Sequence, residues 1–488
     1  MNKLMVLSLT ALLTGCFKIG PDYIRPEVDT PKQWRFAESD ARKNATELKW
    51  WEQLGDPVLN RLVDQSVRGN LDLKIAVANI EQFMGQYGST RANLFPQIAG
   101  AATYVHGLPS SAGLPSGAGG DSLSSGTNSS EIDYAQLGAG MNWELDVWGR
   151  LRRANEAARA DLLGQEAIKR AVILTLVSEV AQTYITLREL DKNLEITQNI
   201  VKSLGEELRI AKSRFNEGYS SELELEQADS EYQRRSAYIP MYEQQIAITE
   251  NALNVLLGHN PGPIPRGLTL DELKFPVVPA GLPSDLLAQR PDIQQAEQQL
   301  IAANARIGVA RAQYFPQIAL TGSVGQMSMQ VATLFTPGAN FWSVGSTLLT
   351  PIFTAGKIAG QVQSAEAVQK AAVANYRRSI ISGFREFENA LVSTNKTKVQ
   401  KEIQGKRVNA VQNYFNLSRI RYDEGYTDYI TVLDSIRQLF DAQIELVQVQ
   451  SANFTATISL YRAMGGGWIV QEEKAANLPK PKDAAFFP

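Results

Sequence analysis

From Arg150 to Glu217 the chain contains no proline, and its apolar residues recur at every seventh position. Ile173, Val180, Leu187, Leu194, Val201, Leu208 and Phe215 form an unbroken column. Such a column stays on one side of a helix when the helix supercoils gently left-handed around its neighbours. At 1.5 Å per residue, about 68 residues make a rod of about 100 Å. That is far longer than a globular helix and far too polar for a membrane span. A long core helix with chance spacing is the alternative, and the second copy described next argues against it.

Asn216-Glu217-Gly218-Tyr219 returns as Asp423-Glu424-Gly425-Tyr426, 207 positions on. At the same offset Trp148-Gly149-Arg150 answers Ala355-Gly356-Lys357, and Leu257-Gly258 answers Met464-Gly465. Upstream, Phe95-Pro96-Gln97-Ile98 matches Phe315-Pro316-Gln317-Ile318 at an offset of 220, so the first copy carries 13 extra residues. The Gly/Ser-rich run Gly107 to Ser130 is the place for them. The second rod, Lys357 to Glu424, has the column Ile380, Phe387, Thr394, Lys401, Val408, Phe415, Tyr422. Its polar middle reads as a stretch with more solvent on it. A repeat of this size signals one interlocked unit rather than the two to four domains that 488 residues suggest.

The N-terminus reads as a secretory signal peptide, residues 1–15: Lys3, the apolar core Leu4 to Leu13, then Leu13-Thr14-Gly15-Cys16. Its end resembles the lipobox of bacterial lipoproteins, in which the cysteine becomes the lipidated first residue. Cys16 is the single cysteine, so no internal disulfide can form. Acyl chains on Cys16 contribute about 0.8 kcal/mol per buried CH₂, which makes a firm anchor when several are attached. Net charge is −3, which gives no electrostatic case for nucleic acid. After the signal peptide no run of 18 apolar residues exists, so no transmembrane helix is expected.

Residues 16–58 read as a lipidated, extended segment marked by Gly20-Pro21-Asp22-Tyr23, Pro26 and Pro31. The first repeat, 59–260, opens with a helix from about Leu59 to Ala92, with Asp56 as N-cap and Pro57 as first helical residue. A β region spans about 94–148. From Leu137 to Val147 the chain alternates: Leu137, Ala139, Met141, Trp143, Leu145 and Val147 share one face, and Gly138, Gly140, Asn142, Glu144 and Asp146 the other. About 10 residues of this pattern mark a transmembrane β-strand. A soluble hairpin with one buried face is the alternative. Ile98 to Val105 supplies the preceding strand. In the second repeat, 283–467, Ile318 to Gly325 and Phe341 to Phe353 supply two more within about 315–354, joined around Pro337-Gly338. Helical hairpins follow at 150–258 and 357–465, with return helices at Glu222 to Leu257, which Pro240 could kink, and Tyr429 to Met464.

Each return helix is too short to match its rod. Stacking Glu222–Leu257 on a helix at Pro283 to Ala312, and Leu59–Ala92 on Tyr429–Met464, recovers about 100 Å each time. The insert 261–282 and the tail 468–488 then sit at the joints. Four strands cannot close a barrel, and an open edge in lipid leaves backbone groups unpaired at several kcal/mol each. Two chains reach about eight strands, filled by side chains, while three reach twelve with a lumen. The fold class expected is therefore an α+β membrane protein with a twofold internal repeat. Three copies would make a 12-stranded barrel, four strands each, continued by a long periplasmic α-helical barrel.

The lipobox with Gly20-Pro21-Asp22-Tyr23, Trp143-Glu144-Leu145-Asp146-Val147-Trp148-Gly149, Gln289-Arg290-Pro291-Asp292-Ile293, both FPQI copies and both Glu-Gly-Tyr turns together resemble the TolC-type outer-membrane factor family. Within it they are similar to the OprM/NodT-like lipoprotein branch that serves resistance-nodulation-division (RND) efflux pumps. The resemblance covers nearly the whole chain. It implies outer-membrane sorting, consistent with Phe17 after the cysteine. It also implies a homotrimeric conduit, with a periplasmic adaptor and an inner-membrane RND-type pump as partners, and a periplasmic end closed at rest. The family's gate falls on Tyr422 to Arg437: an apolar constriction at Ile430, an aspartate ring at Asp434 and a neighbouring arginine at Arg437. A second ring, present in some members, falls on Thr431, where the chain departs from the pattern. Three Asp434 carboxylates around an axis repel, and paired Arg437 would offset them. Asp434 with Arg437 as an ordinary surface i,i+3 pair is the plainer reading. By resemblance Tyr422 faces the region of Glu224. The adaptor is expected on the hairpin tips at Gly218, Tyr219, Gly425 and Tyr426.

No enzyme is expected, and no cofactor or metal beyond the lipid on Cys16. His106 and His259 lie in different halves, and no Cys/His metal spacing exists. Glu144 and Asp146 could mimic a catalytic carboxylate pair but read as the wet side of the barrel. Gly113 to Gly120 lacks the strand-to-helix context of a phosphate loop, and Met327 with Met329 reads as tip packing rather than a copper site. The expected activity is passive export of small molecules such as drugs, dyes or detergents. A type I protein-secretion duct of the same fold and a trimeric lipoprotein adhesin are the competing readings.

Overall fold

Both proline-free stretches are single helices of 67 residues, Arg150–Asn216 and Lys357–Asp423. The computed structural model describes residues 18–31, 34–36, 49–107, 132–276, 289–466 and 468–469. In chain order its elements are α1 (Pro57–Gly69), α2 (Leu71–Ala92), β1 (Gln97–Gly107), β2 (Ile132–Leu145), α3 (Arg150–Asn216), α4 (Glu222–Ser236), α5 (Tyr238–Leu257), α6 (Pro291–Ala312), β3 (Gln317–Ser328), β4 (Asn340–Leu349), α7 (Lys357–Asp423) and α8 (Tyr429–Ala463). No helix among the described residues is long and apolar enough to cross a membrane.

The strands form one antiparallel sheet in the order β1-β2-β3-β4, so β1 and β4 each leave one edge unpaired within the chain. Register aligns the alternation from strand to strand: Met141 pairs with Ile98 and Gly322, Ala139 with Val324, and Val324 with Trp342. Ile98, Leu137, Val324, Trp342, Val344 and Leu348 are exposed on that apolar face. The opposite face carries small and polar residues, among them Gly138 opposite Gly325 and Ser323 opposite Ser343. A Cβ on Gly325 would lie 2.3 Å from the Leu137 carbonyl, so the backbones meet where only glycine fits. β4 stops at Leu349, short of the expected Phe353, because Pro351 has no N–H for the ladder.

The helices continue the sheet order. α2 packs on α3, α3 on α6, and α6 on α7 beneath the strands; farther down, α4 and α5 flank α3, and α8 lies between α3 and α7. The largest core sits midway along α3, where Ile173, Val177, Val180, Tyr184 and Leu187 meet Trp50, Trp51, Leu59, Leu253, Phe454 and Trp468. The expected column is fully buried at Ile173, Val180 and Leu187 but ends exposed at Phe215. Toward the tip the parallel column Leu190, Thr197, Leu204, Ala211 takes over the burial. The rod keeps its period and changes which stripe it buries as its neighbours change.

Several expected elements differ. The first helix is interrupted at Asn70, whose extended backbone and side chain cap α2 through Leu73 N–H at 2.9 Å. The extended N-terminal segment is helical before 58, with a 3₁₀ turn at Trp50–Leu54 and α1 beginning at Pro57. The return helix breaks at Ala237 rather than at Pro240, because the proline ring crowds the carbonyl four residues earlier, that of Ser236. The third helix is described from Pro291, after Arg290, which is extended as a residue before proline prefers; the expected start at Pro283 lies outside the described residues.

The stacking is the reverse of the one expected. Asn70 Nδ2 donates to Leu256 O at 2.9 Å, and a Cβ on Gly258 would lie 2.3 Å from Gly69 O, so α2 continues α5. Arg290 Nη1 donates to Ala463 O at 2.9 Å beside Gly465, so α6 continues α8. Length could not discriminate, since α2 and α6 each have 22 residues. The polar middle of α7 is the more solvated stretch its column predicts: between Thr394 and Ser418 the helix buries no residue, whereas α3 buries five over the matching turns. Thr394 is buried, and the insert covers Lys401 with Phe275, whose ring lies 4.5 Å from Nζ and stacks on Phe454 at 4.0 Å.

Candidate functional site at the helical tips

At each hairpin tip the rod ends on a glycine in the left-handed region, Gly218 at φ 78° and Gly425 at φ 79°. Tyr219 N–H then closes on Arg214 O, and Tyr426 N–H on Arg421 O, both at 2.8 Å. Only glycine takes this φ without cost, which is why the Glu-Gly-Tyr turn recurs. Tyr219 and Tyr426 project at the tips with 81% and 72% of their surface exposed.

The two hairpins are tied just above these turns. The Tyr422 hydroxyl donates to Glu224 Oε1. It also accepts from Arg214 Nη1 at 3.0 Å, with the guanidinium 5.6 Å over the ring. Burial first, then the Glu224 bond, pushes the Tyr422 hydroxyl up to about 12, so it stays a donor at physiological pH. Glu224 is presented by a helix start: Ser221 caps α4 by accepting Glu224 N–H at 3.3 Å. The Ser-x-x-Glu pattern at 221–224 was a readable signal for this placement.

The start of α8 has two faces. Tyr429, Val432, Leu433 and Ile436 are buried against Leu204, Ala211 and Ala228 of α3 and α4. Ile430 and Asp434, four residues apart, point away and are exposed. Asp434 Oδ2 accepts from Gln438 at 2.7 Å and from the Tyr414 hydroxyl of α7 at 3.2 Å. Thr431, where the aspartate pattern fails, accepts from the Thr427 hydroxyl at 3.0 Å. Arg437 does not pair with Asp434 in either expected way. Its Nε donates instead to Glu231 Oε2 of α4 at 2.7 Å, the long side chain reaching from a half-exposed position to the buried carboxylate. Sequence reasoning missed Glu231, Arg214 and Tyr414, all partners brought in from other helices.

At the opposite end, Asp146 lies past the end of β2, at the strand-to-rod junction. It caps α3, accepting Leu151 and Arg152 N–H at 2.9 Å each, while Glu144 takes Arg150 Nη2 at 2.6 Å. Cys16 lies outside the described residues, which begin at Lys18. Buried Arg153 donates to Ile19 O at 3.1 Å, Gly20 O at 3.0 Å and Asp22 at 2.8 Å, beside the strand-to-rod junction. The segment then crosses the helices, with Tyr23 on Glu297, Arg25 on Tyr376 and Trp34 on Phe387.

A sheet with one apolar exposed face, continued by long polar helices, has the pattern of an outer-membrane protein. The profile of the family described as Outer membrane efflux protein matches residues 62–259 and 282–466, and the chain belongs to that family. It is 38% identical to the solvent efflux pump outer membrane protein SrpC of Pseudomonas putida, over 94% of this chain and 97% of that one. It is 31% identical to a probable outer membrane lipoprotein, SilC of Salmonella typhimurium, over 96% and 99%. The structure matches the open state of the Neisseria gonorrhoeae MtrE outer membrane channel with a TM-score of 0.81 at 29% identity, over 92% of this chain and 98% of that one. The protein is an outer-membrane efflux component, and its family is one of channels.

Proposed function

We propose that three copies of the chain form the exit duct of a tripartite efflux pump. A twelve-stranded barrel would cross the outer membrane, and a helical tube would carry its lumen about 100 Å into the periplasm. The observation that carries this reading is the four-stranded sheet with an apolar face and two unpaired edges. Lipid satisfies no backbone N–H or C=O, so the edges must be closed by neighbouring copies. The helices add to the case. α7 leaves Ile381, Val399, Ile403, Leu417 and Ile420 exposed along one face, and α2 and α5 leave Leu71, Ile75, Ile248 and Val255 exposed. Apolar rows of this kind on the two flanks fit each other's copies.

At rest the tips close the tube, with Ile430 as the apolar constriction and Asp434 as the carboxylate ring. The Tyr422–Glu224 bond holds the two hairpins together. A periplasmic adaptor docks at Gly218, Tyr219, Gly425 and Tyr426, and an inner-membrane RND-type transporter supplies the energy. The duct itself needs no cofactor, and its covalent lipid sits on Cys16. Likeness to a solvent-efflux component supports small apolar molecules and drugs as cargo. The test is the conductance of the purified channel in a planar bilayer. Asp434→Ala combined with Tyr422→Phe should raise it, and an unchanged conductance would remove the gate assignment.

A further inference from the structure

The apolar face of the sheet ends before the strands do. On β2 it runs from Leu145 to Leu137, about 27 Å of tilted strand, comparable with the apolar band of about 25 Å on an outer-membrane barrel. Two rows farther from the rods the same face carries Asp133, paired across the strands with His106 of β1. Asp133 Oδ1 accepts the Tyr104 hydroxyl at 3.3 Å and lies 2.8 Å from His106 Nδ1. Tyr104 and His106 are exposed, and Asp133 is half-exposed. On the other half of the sheet Gln326 and Asn340 stand one row beyond Val324 and Trp342. Gln326 Nε2 donates to Asn340 Oδ1 at 3.3 Å. A carboxylate is costly in hydrocarbon and tolerated among head groups, so these side chains mark where the acyl chains stop. β1 and β3 end here and β2 and β4 begin here, with the rods at the other end, so the head groups are those of the outer leaflet.

We propose that this rim binds the sugar head groups of lipopolysaccharide, the glycolipid of the outer leaflet. This rests on the barrel reading above. A phenol, a carboxylate, an imidazole and two amides are groups that hydrogen-bond sugar hydroxyls, and the Tyr104 ring offers an apolar face to the C–H side of a sugar. The four strands contain no lysine or arginine. A phosphate therefore finds no cation on them, and a phospholipid head group is the poorer fit. Threefold closure sets β4 of one copy beside β1 of the next. Gln326 and Asn340 of one copy then share a seam with Tyr104, His106 and Asp133 of its neighbour. Each site is incomplete in a single chain, and a glycolipid seated across the seam holds two copies together.

The experiment measures the lipid retained on the purified trimer by native mass spectrometry, after incubation with rough lipopolysaccharide or with phosphatidylglycerol. Lipopolysaccharide should remain bound, one per seam, at collision energies that strip phosphatidylglycerol. Asp133→Ala should weaken its retention about tenfold, the usual worth of a hydrogen bond to a charged group. Asn340→Ala, from the other side of the seam, should weaken it less, and Ser343→Ala on the opposite face should leave it unchanged. None of these should alter phosphatidylglycerol retention. Should Asp133→Ala fail to assemble, Asn340→Ala decides. Equal retention of the two lipids by a chain that still forms conducting trimers overturns the site and leaves the barrel standing. Retention indifferent to both rim variants, or lowered equally by Ser343→Ala, does the same. A wild-type chain that forms no conducting trimer overturns the barrel and the site together.

Discussion

Tyr422 shows how one side chain carries a contact between distant parts of the chain. Its hydroxyl binds Glu224 and Arg214, which belong to the other hairpin. Tyr422→Phe should destabilise the tip by about 2 kcal/mol, the typical worth of a hydrogen bond to a charged group. Faster amide exchange across residues 222–236 would report it. Glu231 makes a pH prediction at the same scale. Its folded carboxyl lies below its unfolded value. The stability it contributes is therefore present above the usual carboxylate range, about pH 4.3, and is lost as pH falls through the folded value. Exchange protection in α4 should drop on acidification, and the drop should be smaller in Glu231→Gln. The turn glycines and the Ser221 cap were legible because they obey local rules. Glu231's partner was not, because position 437 lies 206 residues away and only packing decides which side of α8 faces α4.

Elements obey longer rules, and here the sequence was legible in existence and ambiguous in assembly. The rods, the four strands and the tip turns follow from period, alternation and glycine. Alternation requires the apolar faces of β2 and β3 to match, and the structure selects the register among the shifts that allow it. Two predictions belong to this scale. Val344→Arg, on the exposed apolar face of β4, should cost about 2 kcal/mol in the membrane, the usual penalty for a charge facing lipid. Urea-induced unfolding in lipid vesicles measures it, and Ser343→Arg on the opposite face should cost less. Arg153→Ala should free the segment that follows Cys16, because a buried guanidinium and its three backbone-and-carboxylate ties go together. The expected cost is about 3 kcal/mol, and the sign is new proteolytic cleavage near residues 18–22.

For the whole molecule the decisive quantity is the number of copies. The chain, 53.7 kDa before its signal peptide is removed, should run as three mature copies in native mass measurements in mild detergent. A stable monomer would contradict the closure argument, since it would leave β1 and β4 open in lipid.

By itself the sequence determined the pieces: two rods, four alternating strands, an insert, a lipobox and two turns. Local physics acts on each of these within a few residues, so period and alternation suffice. The tertiary structure decided which pieces stack. α2 and α6 are equally long, so length permitted either pairing, and the close backbone contact of Gly69 with Gly258 settled it. It also decided that Arg437 serves Glu231 rather than Asp434, and that Phe275 covers Lys401. Such choices depend on which helices meet in space, which spacing along the chain does not encode.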